Sequence, residues 1–251
     1  MKGGEFKISK AMSGGGALKA YQRLVIGSES LWDLVVYELV MLASSWVPGA
    51  LGLLLRRLLY PLLLGSCGKG CIFGRGVVLR HPHKIHLGDG VVLDDGAMVD
   101  AKGEGNRVVL AEGVYVGRGS IIYTKGGDIE LGKGVNISHN CELFSSNKLV
   151  VGPGTFIAAY SYLLSGGQYD PDSDQPFAEQ PGTMSRGATV VGENVWIAAH
   201  VVVTDGVKIG DGAVVGAGAI VMDDIPPQVL AVGMPARVVR KLGSSEGKND
   251  S

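Results

Sequence analysis

The side chains of this sequence best suited to proton transfer near neutral pH are its five histidines, because an unperturbed imidazole titrates at about pH 6.5. Three of them, His81, His83 and His86, crowd the segment HPHKIH. In an extended segment His81 and His83 share a face, but we do not expect a metal there. His200 lies well apart from them, and we interpret it as an ordinary polar side chain.

The remaining imidazole, His139, lies in the segment Ile137-Ser138-His139-Asn140-Cys141. A hydroxyl becomes a good nucleophile when a base about 2.6–3.2 Å away takes its proton. Three interpretations of His139 remain open: a general base, a surface residue that pairs with a backbone carbonyl in a turn, and a substrate-binding residue.

A second group of candidates follows in the segment Gln168-Tyr169-Asp170-Pro171-Asp172. A phenol with a pKa of about 10 is a weak base at neutral pH, so Tyr169 is better suited to donate a hydrogen bond to an oxyanion. Asp170 and Asp172 carry carboxylates, but the sequence DPDSD favours turn formation. Asp170 is kept as a candidate for substrate binding.

An aliphatic residue recurs every six positions between Leu87 and Ile225, and this periodicity predicts the structure that positions these residues. The repeat heads are Leu87, Leu93, Val99, Leu110, Val116, Ile122, Leu131, Ile137, Leu143, Val151, Ile157, Leu163, Val191, Ile197, Val203, Ile209, Val215 and Val221. A fixed short period of this kind is typical of a solenoid.

The heads fall into six sets of three, and the breaks between sets come after the third head, at 105–109, 125–130, 147–150 and 165–190. This predicts an all-β solenoid of six or more triangular coils, with one corner that tolerates insertions. Parallel pairing between coils, about 4.8 Å apart, would stack His139, Ala159, Ala199 and Ala217 in one column, and we expect His200 to share this column two coils beyond His139.

Composition narrows the class of protein further. The 251 residues include 40 glycines, and Lys and Arg (23) nearly balance Asp and Glu (24), so no nucleic-acid partner is expected. Three cysteines make no paired framework and no cleavable leader opens the chain, so a cytoplasmic location is expected.

The expected organisation is a flexible start with an apolar helical cap over 1–67, a β-helix over 68–225, and a C-terminal extension over 226–251 containing a short helix and a disordered tail. Residues 31–64 are strongly apolar but are interrupted by Asp33, Glu38 and Pro48. They are expected to cap the first coil, because an open sheet edge invites aggregation, or to contact the cytoplasmic membrane surface peripherally.

The repeat, followed by Asn194-Val195-Trp196-Ile197, Gly216-Ala217-Gly218 and Gly233-Met234-Pro235-Ala236-Arg237, resembles the left-handed β-helix (hexapeptide-repeat) acyltransferases. Within them it is most similar to galactoside-type, maltose-type and polysaccharide O-acetyltransferases. The resemblance implies a left-handed helix, a homotrimer with active sites between neighbouring subunits, and acetyl-CoA as acyl donor without a metal.

The resemblance also implies residue roles. Gln168 occupies the position of the family's catalytic histidine. Because Gln cannot act as a base, Tyr169 and His139 are the remaining catalytic candidates. Asn140 matches a position that contacts substrate, and Trp196 matches an aromatic beside the acceptor or the pantetheine arm. The positions implied to hold acetyl-CoA are Ala199, Gly216, Ala217, Gly218, Arg237 and Arg240.

These roles predict acetyl transfer to a sugar hydroxyl of a polysaccharide, lipid-linked or nucleotide-sugar acceptor. Because of Gln168, two alternatives remain open: a non-catalytic trimeric scaffold or ligand-binding protein, and an amino-sugar N-acetyltransferase. The loop 165–190 is expected to reach toward a neighbouring subunit and close the acceptor pocket.

Overall fold

The computed structural model describes residues 16–180, 182 and 184–243, and most of them wind into a three-sided parallel β-solenoid. The first sheet contains β1 (Ser66–Cys67), β4 (Ile85–Leu87), β7 (Val108–Leu110), β10 (Asp128–Leu131), β13 (Lys148–Val151), β16 (Thr189–Val191) and β19 (Lys208–Ile209). The second sheet contains β2 (Ile72–Phe73), β5 (Val92–Leu93), β8 (Tyr115–Val116), β11 (Asn136–Ile137), β14 (Phe156–Ile157), β17 (Trp196–Ile197), β20 (Val214–Val215), β22 (Val229–Val232) and β23 (Arg237–Lys241). The third sheet contains β3 (Val78–Arg80), β6 (Met98–Asp100), β9 (Ile121–Thr124), β12 (Glu142–Ser145), β15 (Tyr162–Ser165), β18 (Val202–Val203) and β21 (Ile220–Val221).

Each coil takes one strand from each sheet in turn, so the described chain completes seven coils and β22 begins an eighth. The register pairs Ile137 with Ile157, Ile157 with Ile197, and Ile197 with Val215. All four side chains are fully buried. The six-residue period therefore predicted both the solenoid and its columns, and both predictions are confirmed.

Insertions gather at the corner between the third sheet and the first, as predicted. The connections there are 81–84, 101–107, 125–127, 146–147, 166–188 and 204–207, of which 101–107 and 166–188 are longer than four residues. Because the aliphatic heads fill the interior, extra residues can leave the coil only at a corner without disturbing the parallel pairing.

The N-terminal segment is helical and covers the open end of the first coil. It consists of α1 (Gly16–Tyr21), a π-helical turn (Gln22–Ile26), α2 (Leu31–Ser44), α3 (Gly49–Leu59) and a 3-10 turn (Tyr60–Leu62). None of the helices in this part of the chain, or elsewhere among the described residues, has the length and hydropathy needed to cross a bilayer.

The cap satisfies the carbonyl groups that the first coil would otherwise leave exposed at the sheet edges. The Tyr37 hydroxyl donates to the Leu79 carbonyl at 3.0 Å, and the Arg56 Nε donates to the Phe73 carbonyl at 2.8 Å. The Tyr60 ring packs on Phe73 with 5.2 Å between centroids. The predicted N-terminal helical segment is present, and its contacts with the first coil cover edges that could otherwise pair with another chain.

The expectation of a short C-terminal helix is wrong, because the described part of the C-terminal segment forms two strands. β22 continues the second sheet on β20, and β23 pairs with β22 in antiparallel orientation. Gly233 and Pro235 fall where the chain reverses, which disfavours a helix, and the β-branched pair Val238-Val239 suits a strand. The predicted disordered tail lies almost entirely outside the described residues.

Candidate active site

The corner between the second and third sheets carries half of the candidate residues, and we call it the site corner (residues 138–140, 158–160, 198–200 and 216–218). The Tyr160 N–H donates to the His139 carbonyl at 3.2 Å, the His200 N–H to the Ala159 carbonyl at 3.0 Å, and the Gly218 N–H to the Ala199 carbonyl at 2.9 Å. His139, Ala159, Ala199 and Ala217 therefore follow one another along the corner, as the coil pairing predicted.

His139 is exposed on the fourth coil and is the residue of this column nearest the N-terminal cap. Its Nδ1 lies 3.3 Å from the Ser138 hydroxyl oxygen. When Nδ1 carries the proton and donates it to Ser138, Nε2 presents a lone pair that can accept a proton from a bound hydroxyl. The geometry is that of an oriented, solvent-accessible base.

Tyr160 is a residue of this corner that the sequence reasoning missed. Its ring meets the His139 ring edge-on at 5.4 Å and stacks on the His200 ring at 5.0 Å with an interplanar angle of 5°. The available signal was its position three residues after a repeat head, the same phase as Asn140 and His200. All three adopt a left-handed backbone, with φ of 54°, 61° and 60° for Asn140, Tyr160 and His200.

This phase also corrects the placement of His200. The sequence interpretation put His200 in the column of His139, whereas the structure places it one residue further along the turn, above Tyr160. The left-handed conformation accounts for Asn140 as well, because Asn tolerates positive φ better than most residues.

Gln168 and Tyr169 lie at the far edge of the third sheet from His139. The Gln168 N–H donates to the Met184 carbonyl at 3.1 Å, and a Cβ on Gly167 would lie 2.6 Å from the Phe144 ring. Phe144 lies on β12, toward the end of that strand that is away from the site corner. Within one chain the structure therefore does not bring Gln168 or Tyr169 together with His139.

The long loop is held in shape by its own polar groups. The carboxylate of Asp170 accepts the Asp172 N–H at 3.0 Å, so the predicted turn is present. Gln180, which is buried, accepts the Asp170 N–H at 2.8 Å and donates to the carbonyls of Asp170 and Gln175 at 3.0 and 2.9 Å. Tyr169 packs edge-on against Phe177 with 6.2 Å between centroids.

Asp205, a second residue that the sequence reasoning missed, anchors the ends of this loop to the prism. Its fully buried carboxylate accepts hydrogen bonds from the Gly166 N–H, from the Ser185 hydroxyl at 2.9 Å and from the Arg186 N–H at 2.5 Å. A buried carboxylate that accepts three hydrogen bonds holds the two ends of the loop in place, close to Gln168 at one end and to Met184 at the other.

Tyr123, Glu142 and Tyr162 form a third missed cluster, on the outer face of the third sheet. The register places Glu142 beside Tyr162 on the adjoining strand. Burial raises the pKa of Tyr123 well above its ordinary value, and hydrogen bonds with Tyr162 and Glu142 raise it further. Burial also raises the pKa of Tyr162. Both phenols therefore remain protonated hydrogen-bond donors at neutral pH.

The small residues predicted to hold the acyl donor occupy the upper part of the site corner. Gly216 is packed so closely that a Cβ would lie 2.7 Å from Val232 Cγ1, and Gly218 has a φ of 71°. Ala217 lies between them and is exposed. None of these residues has a side chain larger than a methyl group, and the Gly216 and Gly218 N–H groups donate to the Ala231 and Ala199 carbonyls at 2.8 and 2.9 Å.

The basic candidates lie on β23, above this corner. The Arg237 guanidinium donates to the Asp223 carboxylate at 3.1 Å, and both side chains are exposed. Arg237 pairs in register with Val232, which contacts Gly216, whereas Arg240 pairs with Leu230 over the flat second sheet. The structure thus brings Arg237, but not Arg240, to the top of the site corner.

Trp196 lies on the outer face of the second sheet, in register with Phe156 and Val214, and is 52% exposed. It belongs to the same coil as Ala199 and flanks the site corner. Its neighbours there make an apolar strip beside the small residues.

Comparison with known proteins shows what the chain is similar to. The profile of the bacterial transferase hexapeptide family (six repeats) matches residues 188–222. Galactoside O-acetyltransferase of Escherichia coli (strain K12) is 33% identical over 126 residues, which are 50% of this chain and 60% of the relative. Galactoside O-acetyltransferase of Lactococcus lactis subsp. lactis (strain IL1403) is 31% identical over 49% of this chain and 58% of the relative. The chain thus spans about three fifths of the length of these relatives.

Solved structures share the fold. A mutant of AntD, an N-acyltransferase from Bacillus cereus, in complex with dTDP and Coenzyme A, matches with a TM-score of 0.53 and 18% identity over 80% of this chain and 92% of that chain. The polySia specific acetyltransferase NeuO matches with a TM-score of 0.50 and 21% identity over 74% of this chain and 91% of that chain.

Proposed function

We propose that this chain, a hexapeptide-repeat protein related to the galactoside O-acetyltransferases, transfers an acetyl group from acetyl-CoA to a sugar hydroxyl. The single observation that carries the proposal is the site corner. Along the site corner, the imidazole of His139 lies nearest the N-terminal cap, the small residues follow it, and the guanidinium of Arg237 lies at the C-terminal end.

In this reaction Nε2 of His139 takes the proton of the acceptor hydroxyl while the oxygen attacks the thioester carbonyl. An ester bond forms, the thioester bond breaks, and the proton passes from the imidazolium to the departing thiolate. Ser138 orients the ring through Nδ1, and the neighbouring Asn140 side chain contacts the acceptor. A hydrogen-bond donor from the loop, such as the Tyr169 hydroxyl, stabilises the oxyanion.

The residues present fit the donor molecule. Ala199, Gly216, Ala217 and Gly218 form a stretch of surface without large side chains that suits a thin pantetheine arm, with Trp196 beside it. His139 and Ala217 lie three coils apart, about 14 Å at the spacing of parallel strands. Arg237 offers bidentate hydrogen bonds to a phosphate, and Arg240 adds positive charge on the same strand.

The site requires a second copy of the chain. His139 and the Gln168–Tyr169 segment occupy different edges of the third sheet, so one prism cannot present them to the same acceptor. We therefore infer a homotrimer whose site corner faces the loop of the neighbouring subunit. The protein acts in the cytoplasm, where acetyl-CoA is made, on a glycan precursor for polysaccharide assembly.

The deciding experiment measures thiol release from acetyl-CoA with galactosides, oligosaccharides and amino sugars as acceptors. His139→Ala should lower kcat at least about 100-fold, the smallest contribution usual for a general base. His200→Ala is the matched control, because it removes an imidazole from the same corner, and it should keep most of the activity. Full activity of His139→Ala would show that His139 is not the base.

The scaffold alternative rests on Gln168, which has no titratable group. If the wild type releases no thiol with any acceptor and Gln168→His does, the chain is a non-catalytic relative. Preference for amino sugars over their hydroxyl analogues would instead assign N-acetyl transfer, since an amine needs less help from a base. Calorimetric titration with acetyl-CoA tests the donor site independently of turnover.

A further inference from the structure

The N-terminal cap presents a second apolar surface, which faces away from the prism. In α2 the buried positions are Tyr37, Val40 and Ser44. The opposite face of the cap carries large exposed side chains. They are Leu31 (67% exposed), Trp32 (73%), Val35 (47%), Leu39 (60%), Leu42 (71%) and, just beyond the helix, Trp46 (65%). Both sets recur at three- and four-residue spacings, so each forms a stripe along the helix.

The next helix repeats the arrangement. In α3 the buried residues are Gly52 and Arg56, and Arg56 is held by the carbonyls of Phe73, Ser44 and Val47. Leu51 (63% exposed), Leu54 (53%), Leu58 (61%) and Leu62 (66%) point outward. We call the outward residues of both helices, 31–62, the basal face, since they lie at the end of the prism where the coils begin.

The basal face is too large to be an ordinary solvent-exposed surface. Its exposed leucine, valine and tryptophan side chains cover on the order of 1,000 Å², whereas the largest apolar patch of a typical soluble monomer covers about 300–600 Å². A cleft of about 260 Å³ between the cap and the start of the prism is lined in part by Trp32, Val36 and Leu62, together with Asp33 and His83. Such a surface binds an apolar partner.

The polar groups of the cap identify the kind of partner. The Trp46 Nε1 donates to the Leu42 carbonyl at 2.7 Å, so the ring needs no partner from outside the protein. The three acidic residues are engaged within the cap, Glu29 with Arg23 at 3.2 Å, Asp33 with Ser28 at 2.5 Å and Glu38 with Tyr21 at 2.5 Å. An exposed Arg57 leaves a cation beside the leucines.

We propose that the basal face lies in the interfacial region of an anionic lipid bilayer, and that the acceptor is a glycan anchored in that bilayer. Tryptophan and leucine on one side, with arginine at the margin, are the composition that favours the boundary between headgroups and acyl chains. A second copy of the chain fits less well, because it would have to meet this face head to head along the prism axis. The acceptor assignment rests on the proposed acetyl transfer.

The distance of His139 from the lipid limits which anchored glycans can reach the site. His139 lies three coils above the first coil, about 14 Å, and the cap helices add about 10 Å. The imidazole would therefore stand about 25 Å from the acyl chains. An acceptor of several sugar units on a lipid anchor can reach it, whereas a single sugar on a lipid phosphate cannot.

The test uses the full chain and vesicles of phosphatidylcholine with phosphatidylglycerol. Wild type should sediment with the vesicles, and its tryptophan emission should shift to the blue, because two of the three tryptophans, Trp32 and Trp46, lie on the basal face. The double variant Leu39→Asn and Leu54→Asn should bind at least tenfold more weakly, since it removes two exposed leucines without touching the packed face.

A matched control is Phe177→Asn and Val239→Asn, which also replaces two exposed apolar residues (59% and 56%) but lies away from the cap. It should bind vesicles as the wild type does. Equal loss in both double variants would overturn the proposal. So would a fall in oligomer mass when only the leucine pair is changed, because the basal face would then join two copies of the chain.

The two proposals fail in different ways. Acetyl transfer to soluble oligosaccharides without vesicle binding overturns the lipid surface and leaves the acetyltransferase in place. Vesicle binding without any thiol release supports the basal face and contradicts the enzyme. If both hold, a lipid-linked oligosaccharide in vesicles should be modified at least tenfold faster than the same glycan free in solution, and the leucine variant should lose that advantage.

Discussion

Replacing Asp205 by Asn should release the long loop while leaving the solenoid folded. The carboxylate accepts three hydrogen bonds, from the Gly166 N–H, the Ser185 hydroxyl and the Arg186 N–H. Asn has nearly the same shape but only one acceptor oxygen, and its NH₂ group would face a backbone N–H.

The cost follows from these contacts. One buried N–H left without an acceptor costs about 1–3 kcal/mol, and turning the two remaining bonds from charge-assisted to neutral costs about 1 kcal/mol more. A total of about 2–4 kcal/mol corresponds to roughly 30- to 1,000-fold more frequent opening of the loop. Local opening at this level need not unfold the coils, whose cores do not involve Asp205.

Hydrogen–deuterium exchange measures this opening directly. The reporter is the amide of Gln168, which is bonded to Met184 and not to Asp205 itself. The matched control is Asp211→Asn, whose carboxylate accepts one bond from the Glu193 N–H at 2.8 Å on an exposed turn. It should leave loop exchange within about threefold of wild type. If exchange in Asp205→Asn is equally slow, the carboxylate does not hold the loop and our reasoning fails.

Two further predictions concern the cap and the donor site. Burial raises the pKa of Tyr60 from 10.0 to about 12, and the Arg56 charge opposes this shift. The neutral phenol therefore contributes its full stabilisation below about pH 10, and this stabilisation is lost as the pH rises through about 12. Urea unfolding at pH 9 and pH 12 should show wild type losing about 2–3 kcal/mol more than Tyr60→Phe, and an equal loss in both would contradict this assignment. Asp223→Asn should free Arg237 and lower the Kd for acetyl-CoA about two- to fivefold at low salt, less at high salt, as measured by titration calorimetry. An unchanged Kd at low salt would place Arg237 away from the donor phosphates.

The candidate site was partly predictable from the sequence. His139 was found as an imidazole, and the small residues were implied by the resemblance. The constant spacing from the repeat heads then placed His139, Ala199 and Ala217 in one column, because insertions at a different corner do not change that spacing. Tyr160 keeps the same phase as Asn140 and His200, so it could have been found by the same rule. Asp205 could not, because its hydrogen bond to Gly166 joins residues 39 positions apart, across the loop.

The sequence by itself determined the solenoid, its columns and its helical cap. A six-residue aliphatic period has one compact solution, in which every head turns inward and each coil pairs with the next. Only the tertiary structure decided that the chain ends in an antiparallel strand, that Tyr123, Glu142 and Tyr162 meet on one face, and that Gln168 stands across the third sheet from His139. These outcomes depend on contacts between side chains of different coils. Because the insertions between coils vary in length, the sequence separation of such residues follows no regular pattern.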